Sequence, residues 1–583
     1  MSICFLFLFP FTSPHKPLQH YLHHAFLFLL LTPTTSHALH HNHRASKAGH
    51  SKILANTAAT SWHQMFVKPL LLLLAPAATP ALGLRVAIVG AGVGGAASAY
   101  YLRELLGDSA SITVFEESVR VGGRVENVSY TNATGATVPL EIGASILHSG
   151  NNHLVTAIDK LKLHAGPPVF DSDDGTTGIW DGNRLVFQSS PWSLVTAFRV
   201  LWRYGWGMFK LRRVVRATLD KFTQIYVLQN GTLSGSSSSN GLAFETPEAL
   251  WEALGLFDLT QLSIRDYLAA QGVGAPDSKL VTEFVGSIQR VNYNSNNDIN
   301  ALAGLVSLCP IVTGEVVSVK EGNAAMAVAM IQAAEARLVL NVTVRLVQIM
   351  GGGGEGTKKS YRLLREDGQP VLVRHENENE EEEGDFNAVI IATPFAFSKL
   401  AVLGLDKQSV ITDLPPKQFT DTHATFIQGR VRPGFFGPST LQQHRIPSSV
   451  YVVENASVPI SSLSLHITLN ATDGTGIYKL FSSALLEDSF VDSVFSSGWE
   501  ELHHREWLAY PSYHPPEQMT PFLVQPGERI CYVNALETAV SAMEISAIAA
   551  RNCALLLVES LGLEGRGKEK MSMEGHAEEK EDL

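Results

Sequence analysis

The feature that most constrains the fold of this 583-residue chain is the glycine-rich run GAGVGG at residues 90–95. The run follows a short apolar strand pattern at 85–89 and opens a helical pattern that ends before Gly107. A second strand pattern follows at 112–115. This order is that of a βαβ unit, in which the helix N-terminus offers unpaired N–H groups to a phosphate. The sequence therefore predicts an α/β fold with a Rossmann-type dinucleotide-binding unit.

Three glycines and one acid carry the chemistry of this motif. Gly90 allows the tight turn, Gly92 lets the backbone approach a pyrophosphate, and Gly95 permits close packing of the helix on the strand. Glu116 stands at the end of the second strand, where its carboxylate can accept hydrogen bonds from ribose hydroxyls. The alternative is a glycine-rich turn that binds nothing, and that turn would not need the acid. We therefore expect these four residues to bind a dinucleotide.

Composition and charge exclude several other classes of protein. Hydrophobic residues make up 45% of the chain and charged residues 17%, which excludes a disordered scaffold. The net charge is −12, so the chain lacks the basic footprint of a nucleic-acid-binding protein. The four cysteines (Cys4, Cys309, Cys531 and Cys553) form no CxxC pair, so no metal site is expected. We interpret the last three as buried, unpaired thiols.

The N-terminal region indicates targeting rather than fold, since no Asp or Glu precedes Glu104. Residues 65–81 hold one lysine, an apolar centre and a run of small residues, which is typical of a secretory signal peptide. Residues 1–64 are then a leader or a non-native extension. The alternative for the whole acid-free stretch is an organelle transit peptide.

Glycosylation sequons support the secretory interpretation. Six Asn-x-Ser/Thr triplets follow the signal pattern, at Asn127, Asn132, Asn230, Asn341, Asn455 and Asn470. Residues 564–583 are highly charged, and we expect a disordered tail there. The tail ends in KEDL, a permuted form of the lumenal retrieval signal, which leaves ER retention as an alternative. The expected location is the secretory lumen, a lysosome or a vacuole.

A second glycine motif, RVGGR at 120–124, distinguishes FAD from NAD. It resembles the second pyrophosphate contact of glutathione-reductase-type flavoenzymes, especially the amine-oxidase-like branch. In that branch, Gly123 would approach the pyrophosphate and Arg124 would neutralise phosphate charge. A strand matching LNVTVRLV at 340–347 would lie against adenine near Val344. The strand and turn at 385–393, which end at Thr393, would close the fold.

The same resemblance implies a divided domain arrangement. Residues 84–160, 321–400 and 517–560 would form a glutathione-reductase-type FAD-binding Rossmann domain. Residues 161–320 and 401–516 would form an interleaved α+β substrate domain. No Cys or His stands in a recognisable flavin-attachment motif, so we expect the FAD to be non-covalent.

Further stretches resemble one family, the prenylcysteine oxidases and the plant farnesylcysteine lyases. They are EIGASILH at 141–148, QRVNY at 289–293, WLAYP at 507–511, and NALE at 534–537 with SAME at 541–544. The resemblance runs from about Leu84 to Leu557. The family usually shows Gly-Gly-Asn where this chain has EGN at 321–323, so specificity carried by loops is not implied.

This resemblance implies a FAD-dependent thioether oxidase. Its substrate would be free farnesylcysteine or geranylgeranylcysteine from degraded prenylated proteins. The flavin would take a hydride from the allylic carbon attached to sulfur, and water would then attack that carbon. Collapse of the resulting hemithioacetal would give a prenyl aldehyde and cysteine, and O2 would be reduced to hydrogen peroxide.

The family motifs also imply site residues. His148 and Glu141 are expected to make polar contacts beside the flavin ring or to activate water. Arg290 is expected at the amino-acid end of the substrate, with a buried polar brace as its alternative role. Glu537 and Met543, at a helix start, are expected near the pyrimidine and ribityl parts of the flavin, where a helix N-terminus favours negative charge.

Three alternatives remain open on the sequence. The aromatic and basic stretch 180–216 is either helical core with a solvated basic edge, or an apolar pocket wall or membrane-facing patch. A flavin amine oxidase would need an aromatic cage and a lysine holding a water beside the flavin. A non-enzymatic prenyl-binding escort protein would not need the phosphate-binding glycines together with Glu116 and Arg124.

Overall fold

The computed structural model describes residues 83–563 with internal gaps, which are 132–134, 136, 169–174, 232–240, 314–315, 352–358, 375–380, 411–416, 433 and 438–445. The predicted leader, signal peptide and charged tail, and the sequon at Asn132, lie outside the described residues.

The described part of the chain holds strands and helices in alternation. In chain order the strands are β1 (Leu84–Val89), β2 (Ala110–Phe115), β3 (Asn127–Thr131), β4 (Thr137–Glu141), β5 (Leu147–His148), β6 (Ala165–Gly166), β7 (Thr177–Trp180), β8 (Leu185–Gln188), β9 (Val316–Val319), β10 (Arg337–Val339), β11 (Leu346–Gly351), β12 (Ser360–Leu364), β13 (Leu372–Arg374), β14 (Glu381–Glu383), β15 (Asp385–Phe386), β16 (Ala388–Ile391), β17 (Ala401–Leu403), β18 (Phe419–Arg430), β19 (Ser449–Val452), β20 (Ile460–Asn470), β21 (Thr475–Ser482), β22 (Glu500–Pro511) and β23 (Ile530–Tyr532). The helices are α1 (Val93–Leu106), α2 (Asn152–Lys160), α3 (Ser193–Tyr204), α4 (Gly207–Phe222), α5 (Gln224–Gln229), α6 (Pro247–Ala253), α7 (Ile264–Ala270), α8 (Gly286–Tyr293), α9 (Ala301–Thr313), α10 (Ala324–Ala333), α11 (Phe395–Ser398), α12 (Asp488–Val494) and α13 (Met543–Ser560).

A parallel sheet forms the dinucleotide-binding side. Its spatial order is β10-β2-β1-β16-β23, and every pairing in it is parallel. The residues of β1, β2 and β16 are almost all apolar and buried, as expected for strands covered on both faces. Helix α1 follows β1, and α13 packs along α1. The predicted α/β class with a Rossmann-type domain is confirmed.

The described residues also form a mixed sheet of seven strands. Its order is β22-β18-β21-β20-β19-β7-β8, and all neighbours are antiparallel except β19 and β7. Buried positions of β18, β20 and β21 pack into two apolar clusters apart from the main core. Helices α3 to α9 precede most of this sheet in the chain.

The strand predicted at 340–347 is wrong. The structure has β10 before this segment and β11 beginning at Leu346, with irregular backbone between them. Asn341 has a φ of +59°, which breaks an extended strand. The N–H groups of Asn341 and Val342 donate to the carbonyls of Ser118 and Glu116, so the segment crosses beside the ribose acid.

The prediction of three unpaired thiols is also wrong. Cys531 in β23 and Cys553 in α13 form a disulfide, with their Cα atoms 5.7 Å apart. Cys309 is a buried thiol that donates to the carbonyl of Leu305. The paired residues are 22 positions apart, and only the packing of α13 against the sheet brings them together.

Among the helices that the structure describes, none has the length and apolarity needed to cross a membrane.

Candidate functional site

One continuous cavity of about 2380 Å³ connects the parallel sheet to helices α3 and α4. Small-molecule pockets commonly measure about 300–1,000 Å³. This cavity can therefore hold a dinucleotide and a second molecule together. Its wall contains the glycine loops at one end, a face of the mixed sheet in the middle, and apolar helix residues at the far end.

The first glycine loop leaves space where a ligand can lie. A Cβ added at Gly95 would lie 1.9 Å from the carbonyl oxygen of Gly90, so Gly95 is required by packing. Gly90 has a φ of +103°. In the part of the chain that the structure describes, the atom nearest to a Cβ added at Gly92 is the Cα of Gly123 at 3.8 Å, and Gly92 borders the cavity. The bare backbone of Gly92 thus fits a close approach by a pyrophosphate.

The second glycine loop lies against the first. The N–H of Gly122 donates to the carbonyl of Ala91 at 2.9 Å. A Cβ at Gly123, which has a φ of +58°, would lie 3.0 Å from the Cα of Gly92. Gly123 and Gly92 both border the cavity. The structure therefore brings together the two predicted pyrophosphate contacts.

Glu116 fixes the first loop and also borders the cavity. One carboxylate oxygen accepts from the N–H of Ala91 at 2.8 Å, and the other accepts from the N–H of Ser118 at 3.0 Å. An ionised carboxylate has about four acceptor sites, so each oxygen retains capacity for a further donor. This arrangement suits ribose hydroxyls.

Arg124 forms a bidentate pair with Glu537. Its two terminal nitrogens donate to the two carboxylate oxygens at 2.5 and 2.9 Å, and one also donates to the carbonyl of Ala509. Asn534 and Ser541 donate to the same carboxylate. Burial works against the charge of Arg124, but Glu537 more than offsets it, and the pKa of Arg124 is raised. A compensated ion pair, rather than a lone cation, therefore stands beside the cavity.

Of three other predicted cofactor contacts, two border the cavity and one does not. Thr393, after β16, and Met543, the first residue of α13, border the cavity. The N-terminus of α13 therefore opens toward the space in front of the glycine loops. Val344 is buried in the irregular segment between β10 and β11 and is not among the cavity residues. The structure does not bring Val344 to this site.

His148 ends β5 and borders the cavity. Its Nδ1 accepts a hydrogen bond from the N–H of Gly150 at 3.0 Å. A neutral imidazole that accepts at Nδ1 carries its proton on Nε2. The structure therefore gives His148 a fixed orientation at the wall.

Glu141 lies behind the wall, contrary to the expectation of a group beside the flavin ring. One carboxylate oxygen accepts from the N–H of Asn323 at 2.6 Å, and Asn323 is the residue before α10. The other oxygen is buried, and no group among the described residues donates a hydrogen bond to it. Burial raises the pKa of Glu141 to about 7, although the N–H of Asn323 acts in the opposite direction. Glu141 holds the start of α10 in place.

Arg290 is also placed away from the cavity. Its guanidinium donates to the carbonyls of Val453, Ala456 and Ile460 at 3.2–3.3 Å. Its helix neighbours Ser287, Ile288 and Val291 border the cavity, but Arg290 is on another side of α8. The structure thus places Arg290 as the polar brace of the alternative interpretation and not on the cavity wall.

Lys479 borders the cavity and was not found by sequence reasoning. It lies on β21, is 4% exposed, and donates to the carbonyl of Glu141 at 2.7 Å and to Oγ of Ser145 at 3.2 Å. Burial lowers the pKa of Lys479 to about 7. Its Nζ lies 4.4 Å from the centre of the Phe481 ring. A lysine inside the apolar strand sequence GIYKLFS was the available signal.

The far end of the cavity is an apolar chamber between helices. Tyr293 lies where the glycine end meets this chamber, and its hydroxyl donates to the carbonyl of Ser541 at 2.9 Å. Helices α3 and α4 supply a large part of the chamber wall, so some residues of the stretch 180–216, but not its exposed tryptophans, form a pocket wall. Chamber residues include Phe187, Phe198, Leu201, Met208, Phe209, Phe222, Phe284, Ile288 and Val306.

Comparisons with known proteins agree on a family. Residues 187–566 match the family described as prenylcysteine lyase, and residues 88–161 match an NAD(P)-binding Rossmann-like domain. Human prenylcysteine oxidase 1 is 30% identical over 488 residues, which cover 81% of this chain and 88% of that protein. Farnesylcysteine lyase of Arabidopsis thaliana has the same identity and coverage.

A solved structure also aligns with most of the chain. Wild-type putrescine oxidase bound to putrescine has a TM-score of 0.47 at 16% identity. The alignment covers 82% of this chain and 100% of that one.

Proposed function

The chain belongs to the prenylcysteine lyase family, and we propose that it is a FAD-dependent oxidase that cleaves farnesylcysteine and geranylgeranylcysteine. The overall reaction consumes the thioether, O2 and water, and yields a prenyl aldehyde, cysteine and hydrogen peroxide. The family resemblance inferred from the sequence is confirmed by the match to residues 187–566.

The observation that carries the proposal is the continuity of the cavity. The cavity extends from the bare backbone of Gly92 into the apolar chamber that α3, α4 and α8 line. A prenyl chain is apolar, and removing it from water is favourable by about 0.8 kcal/mol for each CH2 group. A substrate with its prenyl chain in the chamber would place its sulfur end toward the glycine loops.

The glycine end fits the dinucleotide part of FAD. Gly92 and Gly123 would lie against the pyrophosphate, Glu116 would accept from ribose hydroxyls, and the N-terminus of α13 would face the ribityl and pyrimidine parts. When bound, the flavin supplies a two-electron oxidation of the carbon attached to sulfur and passes the electrons to O2. We propose that the FAD is non-covalent.

The chain must also handle a proton, because the attacking water loses one when its oxygen bonds to carbon. Lys479 is the group we assign to this role. Its pKa near 7 leaves a large neutral fraction at neutral pH, and a neutral amine can accept a proton. His148 presents a second polar group on the same wall and would orient the water.

A purified sample of the protein given farnesylcysteine tests this function. We expect hydrogen peroxide, prenyl aldehyde and free cysteine in equal amounts, with similar products from geranylgeranylcysteine. S-methylcysteine should give no useful turnover because it has no chain to fill the apolar chamber. Efficient spermine oxidation without prenylcysteine turnover would reject the proposal in favour of an amine oxidase.

We also propose that the protein matures in the secretory pathway. The Cys531–Cys553 disulfide supports an oxidising compartment, where such bonds persist. Asn230 and Asn470 are exposed, so an oligosaccharide can be accommodated on them. Expression in a eukaryotic host should give a product whose gel mobility increases after glycosidase treatment. An unglycosylated cytosolic product would count against this location.

A further inference from the structure

Helix α3 and its flanking residues carry an exposed apolar surface, which we call the tryptophan face. It consists of Trp192, Phe198, Trp202 and Trp206. The three tryptophans are 75%, 83% and 75% exposed, and Phe198 is 64% exposed. Phe198 stacks on Trp202 with ring centroids 6.0 Å apart, so these two rings form one continuous apolar patch. Exposed apolar patches of this kind mark surfaces that bind something.

The surroundings of the tryptophan face are strongly basic. Residues 192–222 contain seven Lys and Arg but one acid, Asp220, whereas the whole chain has 44 basic and 56 acidic residues. Arg203 is neutralised by a bidentate pair with Glu283. Lys210 donates to a neutral acceptor, the carbonyl of Gly272, and not to a carboxylate. Lys210 and Arg213 are both exposed on α4.

The tryptophan face is continuous with the cavity. Phe198 and Leu201 are exposed to solvent and also border the cavity, as does Leu194 at the start of α3. The wall between the apolar chamber and the exterior is therefore a single helix at this place. A molecule that leaves a lipid phase at the tryptophan face reaches the chamber by passing α3.

We propose that the tryptophan face, with the cations of α4, docks on the surface of an anionic lipid bilayer. Tryptophan places an apolar ring and one N–H donor at the boundary between lipid and water, and Lys and Arg attract anionic headgroups. The charge of the surroundings favours this occupant over a second copy of the chain, because two such surfaces would repel each other. The docking rests on this surface alone, and its use in delivering prenylcysteine from lipid rests on the proposed function.

Vesicle sedimentation tests the docking. The full protein should sediment with phosphatidylcholine vesicles that contain phosphatidylserine, and much less with phosphatidylcholine alone. The double variant Trp192→Ser/Trp202→Ser should lose about tenfold in bound fraction, since interfacial binding scales with the apolar area inserted. The charge variant Lys210→Glu/Arg213→Glu should bind less to vesicles that contain phosphatidylserine. Its binding to vesicles of phosphatidylcholine alone should not change. The matched control is Leu405→Ser/Leu485→Ser, at exposed leucines outside the face, and it should bind as the native protein does.

Activity distinguishes this inference from the proposed function. Trp192 and Trp202 are not among the cavity residues, so turnover of dissolved farnesylcysteine should be unchanged in the double variant. Turnover of farnesylcysteine held in vesicles should fall with the bound fraction. Equal flavin content and an equal melting temperature would establish that the double variant is folded.

Several outcomes would overturn the docking while leaving the proposed function intact. They are no vesicle binding by the native protein, undiminished binding by the double variant, equal loss in the leucine control, and equal binding to neutral vesicles. Light scattering provides a further check. A dimer that the double variant abolishes, without vesicle binding, would assign the face to a contact between copies of the chain.

Discussion

The two ends of the cavity have walls of different composition. At the glycine end much of the wall is backbone, with loops 90–92 and 122–123 in contact and Glu116 accepting a hydrogen bond from the N–H of Ala91 in the first loop. At the helix end the wall is side chain, supplied by several apolar residues of α3, α4 and α8. A backbone wall has no side chain to rearrange, whereas apolar side chains repack around a change of similar volume. A substitution at the glycine end should therefore either abolish flavin binding or leave it intact. A substitution at the helix end should change substrate binding gradually.

The largest expected effect comes from Gly92→Val. Because the nearest described atom to a Cβ at this position, the Cα of Gly123, is 3.8 Å away, the variant should fold. Its branched side chain would occupy the space in front of the backbone, so we expect a folded, colourless protein. Absorbance near 450 nm, measured alongside circular dichroism, gives the flavin content of the folded sample.

Gly95→Val is the contrasting variant in the same loop. Its Cβ would lie 1.9 Å from the carbonyl oxygen of Gly90, so the turn itself must break and the soluble yield should collapse. Full flavin occupancy in Gly92→Val would show that the pyrophosphate lies elsewhere. Equal loss of folding in both variants would show that the two glycines have the same role.

The same difference explains what the sequence could predict. The first glycine loop, Glu116 and helix α1 could be predicted because their strand–turn–helix–strand unit is contained within about thirty residues. The pair of Arg124 with Glu537 joins residues 413 positions apart, and only their presence in family motifs placed both near the cofactor. Local patterns carry the first kind of information but not the second.

Other positions could not be predicted, because they depend on the direction in which a side chain points or on packing between distant parts of the chain. QRVNY at 289–293 lies on a helix, but the sequence does not say that Ser287 and Val291 face the cavity while Arg290 faces away. Lys479 lies at the cavity because β21 packs against the segment of Glu141, whose carbonyl it contacts 338 positions earlier in the chain. The Cys531–Cys553 pair likewise depends on where α13 lies. The sequence encodes these contacts only through the complete fold.

The next largest effect is expected for Lys479→Met, in the middle of the cavity. Removing a group that accepts a proton should lower kcat by about a hundredfold. The native kcat/KM should rise as the pH rises through about 7, because the neutral amine is then the main form. This rise should be absent from the variant. An unchanged pH profile in Lys479→Met would contradict the role of Lys479 as a proton acceptor.

Stability should change in the opposite direction. The pKa of Lys479 is depressed in the folded state, so the folded protein loses stability as the pH falls from 10.5 to about 7. Met removes that loss, so the variant should melt at a higher temperature than the native protein at pH 6. The gain should shrink at pH 9. Lower stability of Lys479→Met at pH 6 would argue that the lysine is structural.

A smaller effect is expected at the helix end for Phe284→Leu. Phe284 borders the apolar chamber, and its replacement by a smaller apolar side chain should change KM a few-fold. The ratio of the KM values for farnesylcysteine and geranylgeranylcysteine should shift, while flavin content stays constant. The matched control is Phe435→Leu, in a separate apolar cluster, and it should leave this ratio unchanged. Loss of flavin from Phe284→Leu would remove the distinction between the two ends.

The smallest effect on turnover is expected for Arg290→Met. Arg290 donates to three backbone carbonyls of residues 453–460 and does not border the cavity. Leaving those carbonyls without their donor should cost about 1–3 kcal/mol of stability, measurable by denaturant unfolding. The KM for farnesylcysteine should stay within about twofold of the native value, because the substrate carboxylate does not depend on this side chain. A tenfold rise in KM, a loss of about 1.4 kcal/mol of binding free energy, would return Arg290 to the substrate site.

Arg290→Lys separates the two roles further: one ammonium cannot reach three carbonyls as the planar guanidinium does, but it would still pair with a carboxylate. A brace therefore predicts reduced stability in both variants with an unchanged KM, whereas a carboxylate contact predicts a KM that lysine largely restores.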